Sequence, residues 1–577
     1  MRSSTRPALR FPERQSAAVP AALTAEDRFP AIPRWLVATC AVLWIVVGLF
    51  GREPFKPDEA YTVGLVKSIV DTGDWVVPSL AGEPFMEKPP LFFGVAALFA
   101  KLLPGLPLHE AARCAVLLFV GIGLLAIGRC ARAVYGAGCG RLAVLLTLAT
   151  LGTVVRMHQL ITDTALFAGM ALALLGLVRA PQAPARGGAQ LGAGLAIAFL
   201  SKGLLGPGLI VCSALALLAH APWRARVLRK TAGVALLVAL PPAVAWLVAL
   251  EIRAPEALHV WLWDNNLGRF FGLNDLGPKQ DLLFYARTLS WYALPCWPLA
   301  LWGWVHGRRA DAPEAERLGR VPPVLFLAVG IAVLSLASDG RELYALVLVP
   351  AFAVLAVGGL LRLPRKWEQG MAWAVAAFTV LLSALLFAAW AAAMLSPELT
   401  SRLPASLALP AMVAPSVTAM AAYVCTAAAL LGMLATLRRG TLGALPLAGA
   451  AGSGLLWASL MLPWGGYLDA LKGYRSVALA LHAHLPAVDC IASEGLGEGE
   501  RALLDYFIGL RTWRVEAGSA AQACDVLLVQ SRRDMPHHPG LPWLLWWEGA
   551  RPGSDTSVLQ MYVQLPGEAL LPALPPQ

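Results

Sequence analysis

The stretch EPFKPDEAYTVGLVKSIVDTGDWVVPSLAGEPFMEKPPL, Glu53 to Leu91, follows the first long apolar run of the chain, Trp35 to Phe50. It carries two charged clusters, Asp58-Glu59 and Glu87-Lys88, in a 577-residue sequence that is only 14% charged. The surroundings make that polarity unusual. The chain is 58% hydrophobic with a mean hydropathy of +0.63, whereas a soluble globule is about half apolar and about a quarter charged. Apolar runs of roughly 20 residues recur along it, each long enough to cross a bilayer. The composition therefore predicts a polytopic α-helical membrane protein. The Arg-, Pro- and Ala-rich residues 1–34 contain no apolar segment of the kind a cleaved signal needs.

Spans are expected at roughly 35–51, 111–130, 140–156, 165–179, 188–202, 203–220, 231–251, 288–306, 321–338, 342–361, 371–394, 411–436 and 442–463, about thirteen in all. The run Leu91 to Leu103 is too short to span and reads as interfacial. Charge supports that reading. If the run does not cross, 24 Arg and Lys fall in the amino-terminal segment and the short loops on one side, RCARAVYGAGCGR and WRARVLRK among them, against 13 in the longer opposite loops. The positive-inside rule then puts residues 1–34 in the cytoplasm as an amino-terminal tail. The net charge of +10 is explained by these loops, so nucleic acid is not an expected partner.

An odd number of spans carries residues 464–577 to the outer face. Their alternation of helical patterns (YRSVALALHAHL, RALLDYFIGL) with short strand patterns (VDCIAS, CDVLLVQS, SVLQMYVQL) predicts a small α/β domain, periplasmic in a bacterial envelope. Cys490 and Cys524, the two cysteines of this tail, are free to pair or not as the compartment dictates. The membrane part is then 35–463, with outer loops at 52–110 and 252–287.

This topology gathers polar residues from distant places at one membrane face: Asp58, Glu59, Glu87 and Lys88 in the first outer loop, Arg156, His158 and Asp163 in the next turn, Asp264, Asn265, Asn266 and Arg269 in WDNNLGR, and Asp339, Arg341 and Tyr344 in SDGRELY. Ionisable residues at membrane depth are costly and mark function. Each also has a plainer reading. Asp58-Glu59 and Asp163 suit helix amino termini. EKPP suits a charged turn before a helix, and Arg269 beside Phe270-Phe271 suits an interfacial anchor. His158 reads as a loop or capping residue. No Cys/His spacing suggests structural zinc, and no phosphate-cradling Gly loop is present.

Taken together, PDEAYTVGLVKSIVDTGDWVVPSLAGEPFMEKPPLFF and ITDTALFAGMALAL resemble the GT-C glycosyltransferases of the protein O-mannosyltransferase superfamily. With SKGLLGPGLI and NNLGRFFG they look most like the ArnT branch, which transfers 4-amino-4-deoxy-L-arabinose from undecaprenyl phosphate to lipid A. The resemblance covers about residues 35–365. It implies a multi-pass inner-membrane enzyme moving a sugar from a polyprenyl-phosphate donor to lipid A or another envelope glycan or protein acceptor. It implies that Asp58 and Asp163 are catalytic acids, and that Glu59, Glu87, Lys88, Arg269, Tyr344 and Asn265 contact substrate. ArnT-like sequences commonly carry a His where this chain has Asn265, and that His can join the EKPP glutamate on a metal. Glu87 is thus the candidate ligand for a divalent metal ion, with Asn265 a donor suited to a harder cation than zinc. A transporter is the rival class, but transporters show paired halves and charged midplane helices, which this sequence lacks.

Overall fold

In the computed structural model the described residues are 32–564, except 225, 274–277, 308–312, 396–414, 440–442, 519–523, 536–538, 540–541 and 552–556. Most of the expected amino-terminal tail, residues 1–31, lies outside them. Each of the thirteen apolar stretches coincides with a helix or a pair of consecutive helices. Among the described residues, seven helices are long and apolar enough to cross a membrane: Leu108–Tyr135, Arg229–Arg253, Glu314–Leu336, Glu342–Leu360, Arg365–Leu395, Val417–Ala435 and Ala444–Met461. Others are shorter or broken. The stretch read as one span at 288–306 is two helices, Phe284–Tyr292 and Cys296–His306, interrupted just before Cys296 by Pro295, which has no backbone N–H for a helical bond. Leu91–Leu102 is a 12-residue helix, about 18 Å long at 1.5 Å per residue and short of a hydrocarbon core.

Two helices set the geometry that matters most. Asp163–Arg179 and Pro184–Lys202 run antiparallel across a four-residue connection, so the start of the first and the end of the second lie at the same end of the bundle. They approach closely because both carry glycine at the crossing. A Cβ on Gly194 would lie 2.5 Å from the Gly169 carbonyl oxygen, and small residues are what allow such contact between membrane helices.

The segment after the first apolar helix is folded. It forms the helix Asp58–Thr72, then a two-stranded antiparallel hairpin, β1 (Ser79–Leu80) and β2 (Glu83–Pro84), then the 91–102 helix. The hairpin turns through Ala81 and Gly82 at φ +49° and +93°, the positive values a tight two-residue turn demands.

The tail forms the five-stranded mixed sheet expected of an α/β unit. Its strands are β3 (Ile491–Glu494), β4 (Trp513–Arg514), β5 (Val526–Arg532), β6 (Trp543–Gly549) and β7 (Ser557–Gln564), in the order β4-β3-β5-β7-β6. β3 is parallel to β4 and β5; β7 is antiparallel to β5 and β6. Helices Arg475–His484 and Glu498–Ile508 pack with it. Cys490 and Cys524 are disulfide-bonded, tying the entries of the neighbouring strands β3 and β5.

This unit is docked on the segment between Glu53 and Glu110. A Cβ on Gly64 would sit 2.8 Å from that of Ala502, so the 498–508 helix lies directly on the 58–72 helix. Ion pairs join Lys56 to Glu500 and Lys67 to Asp505, and His109 Nδ1 meets the Tyr506 hydroxyl at 2.7 Å. Where the chain enters the tail, the Glu53 amide donates to Asp469 Oδ1 at 2.9 Å.

Candidate active site

Asp58 is the first residue of its helix, after Pro57, and with Glu59 it puts negative charge in the first turn. Its Oδ1 accepts from the Tyr61 hydroxyl at 2.9 Å, one turn on. That hydroxyl in turn accepts from Lys88 Nζ, whose ammonium lies 4.6 Å from the centre of the Tyr61 ring. The helix-terminus reading of Asp58 holds, and its carboxylate also faces a buried lysine through a tyrosine.

From Lys88 the chain of contacts continues. Glu87 Oε2 lies 3.8 Å from Lys88 Nζ, and Glu87 Oε1 accepts from Arg269 Nη1 at 2.9 Å. Arg269 Nε donates to Asp339 Oδ2 at 2.8 Å, and the same oxygen accepts from the Tyr344 hydroxyl at 3.0 Å. Arg341 Nε stands 3.7 Å from Asp339 Oδ1. Lys202 lies with its ammonium 5.3 Å from the Tyr344 ring centre and donates to both oxygens of Asp163, at 2.7 and 2.8 Å. Four carboxylates and four cations from six separate segments thus form one connected set.

Burial sets the electrostatics. For Glu87, burial pushes the carboxyl up, but Lys88 and Arg269 outweigh it and hold the pKa at about 2. Burial pulls Lys88 down, against the opposing pull of Glu87. Burial and the neighbouring carboxylates, Asp58 first, keep the Tyr61 hydroxyl protonated. It can therefore donate to Asp58 while accepting from Lys88.

Glu59 takes a different place from the one expected. Its carboxylate grips Arg52 through both oxygens, at 2.6 and 2.7 Å, and accepts from the Phe55 and Leu160 amides. Arg113 adds a contact at 3.8 Å. Every acceptor direction points into the protein. The reason is helical: consecutive residues diverge by about 100° around the axis, so with Asp58 turned toward Tyr61 and Lys88 Glu59 faces Arg52. The pair holds Arg52, whose third contact is the His158 carbonyl. His158 is itself buried between Trp44 and Trp457, with ring nitrogens against the Trp44 and Val154 carbonyls.

Asn265 lies at the margin. It sits in a π-helical segment, Val260–Gly268, a form common at functional sites. Its Nδ2 donates to the Met86 carbonyl at 3.2 Å, beside Glu87. These residues do not fit a divalent cation. The Glu87 oxygens face the Arg269 guanidinium and the Lys88 ammonium, and Asn265 turns its amide nitrogen to the motif. Among the described residues no three His, Cys, Asp or Glu side chains converge as a metal site.

Lys202, Tyr61 and Asp339 belong to this set, and neither Lys202 nor Tyr61 was singled out from the sequence. Lys202 is readable in retrospect: it is the single charge inside LSKGLLGPG. Gly203 follows it at φ +77°, where a Cβ would lie 2.5 Å from Asn266 Oδ1, the oxygen that accepts from the Leu204 amide.

Residues 87–248, which contain Glu87, Lys88, Asp163 and Lys202, match the family model for dolichyl-phosphate-mannose-protein mannosyltransferase. The chain is 30% identical over 310 residues to the undecaprenyl phosphate-alpha-4-amino-4-deoxy-L-arabinose arabinosyl transferase 1 of Sodalis glossinidius, covering 51% of this chain and 54% of that protein. It is 27% identical over 308 residues to the corresponding transferase of Pseudomonas aeruginosa, covering 50% and 53%. Its fold superposes on the crystal structure of ArnT from Cupriavidus metallidurans bound to undecaprenyl phosphate with a TM-score of 0.66, at 18% identity over 91% of this chain and 97% of that one. The chain has the fold of that ArnT structure. It spans about half the length of the curated relatives it matches. The seven long apolar helices among its described residues fit a multi-pass membrane protein, and Asp58, Arg269, Asp339 and Tyr344 lie outside the segment that the mannosyltransferase model matches.

Proposed function

We propose that this protein belongs to the ArnT branch and is an inner-membrane glycosyltransferase. It moves a sugar, in the first instance 4-amino-4-deoxy-L-arabinose, from undecaprenyl phosphate to lipid A. The observation that carries the reading is the linked set Asp58–Tyr61–Lys88–Glu87–Arg269–Asp339–Tyr344–Lys202–Asp163, assembled at one end of the helices.

The chemistry asks for such a set. Transfer breaks the bond between the anomeric carbon and a phosphate oxygen, leaving a lipid phosphate with one more negative charge. Lys88 and Arg269 are placed to receive that charge, and Arg269 is suited to gripping two oxygens. Glu87 is held as an anion between them and keeps both cations in place; it is not the acid of the reaction. The transition state is oxocarbenium-like, and Asp58 is the carboxylate assigned to the reacting centre. On a lipid A phosphate, which needs no deprotonation, Asp58 orients the acceptor and steadies the developing positive charge; on a hydroxyl it would act as general base. Asp163, neutralised by Lys202, is the acid suited to the amino group of the sugar.

The reading places residues 464–577 in the periplasm, over an outward-facing site, with residues 1–34 in the cytoplasm. The positive-inside bias and the Cys490–Cys524 disulfide, a bond of oxidising compartments, both support this. Mass spectrometry of lipid A from cells with and without the protein tests the assignment. A sugar increment that requires the protein and is lost with Asp58→Ala is expected. Unchanged lipid A with folded protein present would move the acceptor to protein or another glycan.

A further inference from the structure

The hairpin β1–β2 ends three residues before Glu87, and its Glu83 reaches the tail domain rather than the catalytic set. Two arginines of the tail converge on it. Arg501 Nη2 lies 3.0 Å and Arg514 Nη1 3.4 Å from the same atom, Glu83 Oε2. Arg501 is 95% buried on the 498–508 helix, and its Nε has no hydrogen-bond partner among the described residues. Arg514, on β4, is half-exposed, as is Glu83.

A clip serving only to fasten the hairpin needs one cation for one carboxylate. Here two guanidinium groups meet a single oxygen, with Glu516 Oε2 a more distant second anion 3.7 Å from Arg514 Nε. One of them is buried with a donor unused, which is costly unless something else satisfies it. Two positive charges and several unspent N–H donors match a phosphomonoester, with its near-double charge and three acceptor oxygens, better than they match a carboxylate. The position is also apt. Glu498 opens the helix that carries Arg501. Burial and then Glu87 push its carboxyl up, while Lys88, Arg501 and Arg514 pull it down. One side chain therefore lies within electrostatic reach of both the catalytic set and the arginine pair.

We propose that Arg501 and Arg514 form an anion site on the tail domain for a phosphomonoester of the acceptor, and that Glu83 is an internal occupant which this phosphate displaces. This rests on the reading of the protein as a transferase to a phosphorylated lipid. Displacement exchanges one carboxylate for a group of higher charge and frees the hairpin that leads into the EKPP segment.

The test measures binding and needs no transfer, so its failure is separate from failure of the functional reading. Purified full-length protein in detergent is titrated without donor. The titrants are lipid A bearing its phosphates, enzymatically dephosphorylated lipid A, and inorganic phosphate alone. Arg514→Gln, at a half-exposed position, is expected to weaken binding of phosphorylated lipid A about tenfold. Glu83→Gln removes the internal competitor and is expected to tighten it several-fold. Dephosphorylated lipid A should be indifferent to both. Inorganic phosphate following the variant pattern when lipid A does not would keep the site and make soluble phosphate its ligand. If Glu83→Gln weakens binding or leaves it unchanged, the contact is a structural clip and the proposal falls.

Discussion

Replacing Arg269 with Met separates the charge-stabilising role of the site from its architecture. In the native arrangement Arg269 makes charge-assisted bonds to Glu87 at 2.9 Å and Asp339 at 2.8 Å. Neither carboxylate is orphaned by the change. Glu87 keeps Lys88 at 3.8 Å, and Asp339 keeps the Tyr344 hydroxyl at 3.0 Å and Arg341 at 3.7 Å. The fold should therefore survive with a loss of about 1–3 kcal/mol. Catalysis should suffer more, because a preorganised donor to the leaving phosphate is gone. Losing one such donor costs about 10²–10³ in kcat, or about 2.7–4 kcal/mol. Arg269→Lys keeps the charge but not the fork that spans two carboxylates, and should lie between, about tenfold below wild type. The pH response supplies a second reading. Glu87 is held at about 2, below its unfolded value, so its stabilising contribution is present above pH 4.5 and lost only as pH falls through about 2. Without Arg269 that loss begins at higher pH. The assay is steady-state transfer by purified protein, with thermal unfolding followed from pH 3 to pH 7. A folded Arg269→Met protein with kcat within about threefold of wild type would refute the assignment of Arg269 to the leaving phosphate.

Other outcomes follow from the same geometry. Asp58→Asn is isosteric and should leave folding intact while reducing kcat by at least about 10², measured beside Tyr61→Phe, which breaks the link to Lys88 and should lower the rate less. Glu59→Gln should act on stability, because it leaves the buried Arg52 and Arg113 without their shared anion; such a break costs about 3–5 kcal/mol, seen as lost yield and a lower Tm. Replacing Cys490 and Cys524 with Ala opens a bond between residues 34 apart in sequence, for which chain entropy predicts a loss of about 3–4 kcal/mol in the tail domain, read by proteolysis of that domain. Glu53 and Asp469, where the tail joins the membrane part, are raised to about 7 and about 6, by burial first in each case. Their folded values exceed the unfolded ones, so the folded state holds the extra protons and stability of this junction should fall as pH rises from about 4 to 7. Hydrogen exchange over Gly465–Lys472 should quicken across that range, and Glu53→Gln should flatten the response.

Much of this was legible in the sequence because membrane and motif constraints act locally. Hydropathy located all thirteen helical stretches, and the Asp58, EKPP and Asp163 segments did meet in space. Asn265 also reached the Met86 carbonyl, one residue before EKPP. What sequence could not decide was direction. Asp58 and Glu59 are adjacent and equally acidic, yet the helix turns one toward Tyr61 and Lys88 and the other to Arg52. Lys202 escaped notice because a lone lysine in an apolar run looks like a span edge until the antiparallel pairing of two helices sets it on Asp163. Pro295 was visible, but only the structure shows one span split into two helices. In the tail, β4 has two residues, too few for an alternating pattern, and β6, WLLWWEG, has too little alternation to read as a half-buried strand. The convergence of Arg501 and Arg514 on Glu83 joins residues more than 400 positions apart and has no local signature.

The central claim is that the linked charges around Asp58 and Lys88 transfer a sugar from a polyprenyl phosphate. It is tested most directly by reconstituting purified protein in liposomes with undecaprenyl phosphate-linked 4-amino-4-deoxy-L-arabinose and lipid A, and following sugar-modified lipid A by mass spectrometry. The account predicts product with the wild type and none above background with a folded Asp58→Ala protein. Product formed equally by both would contradict it.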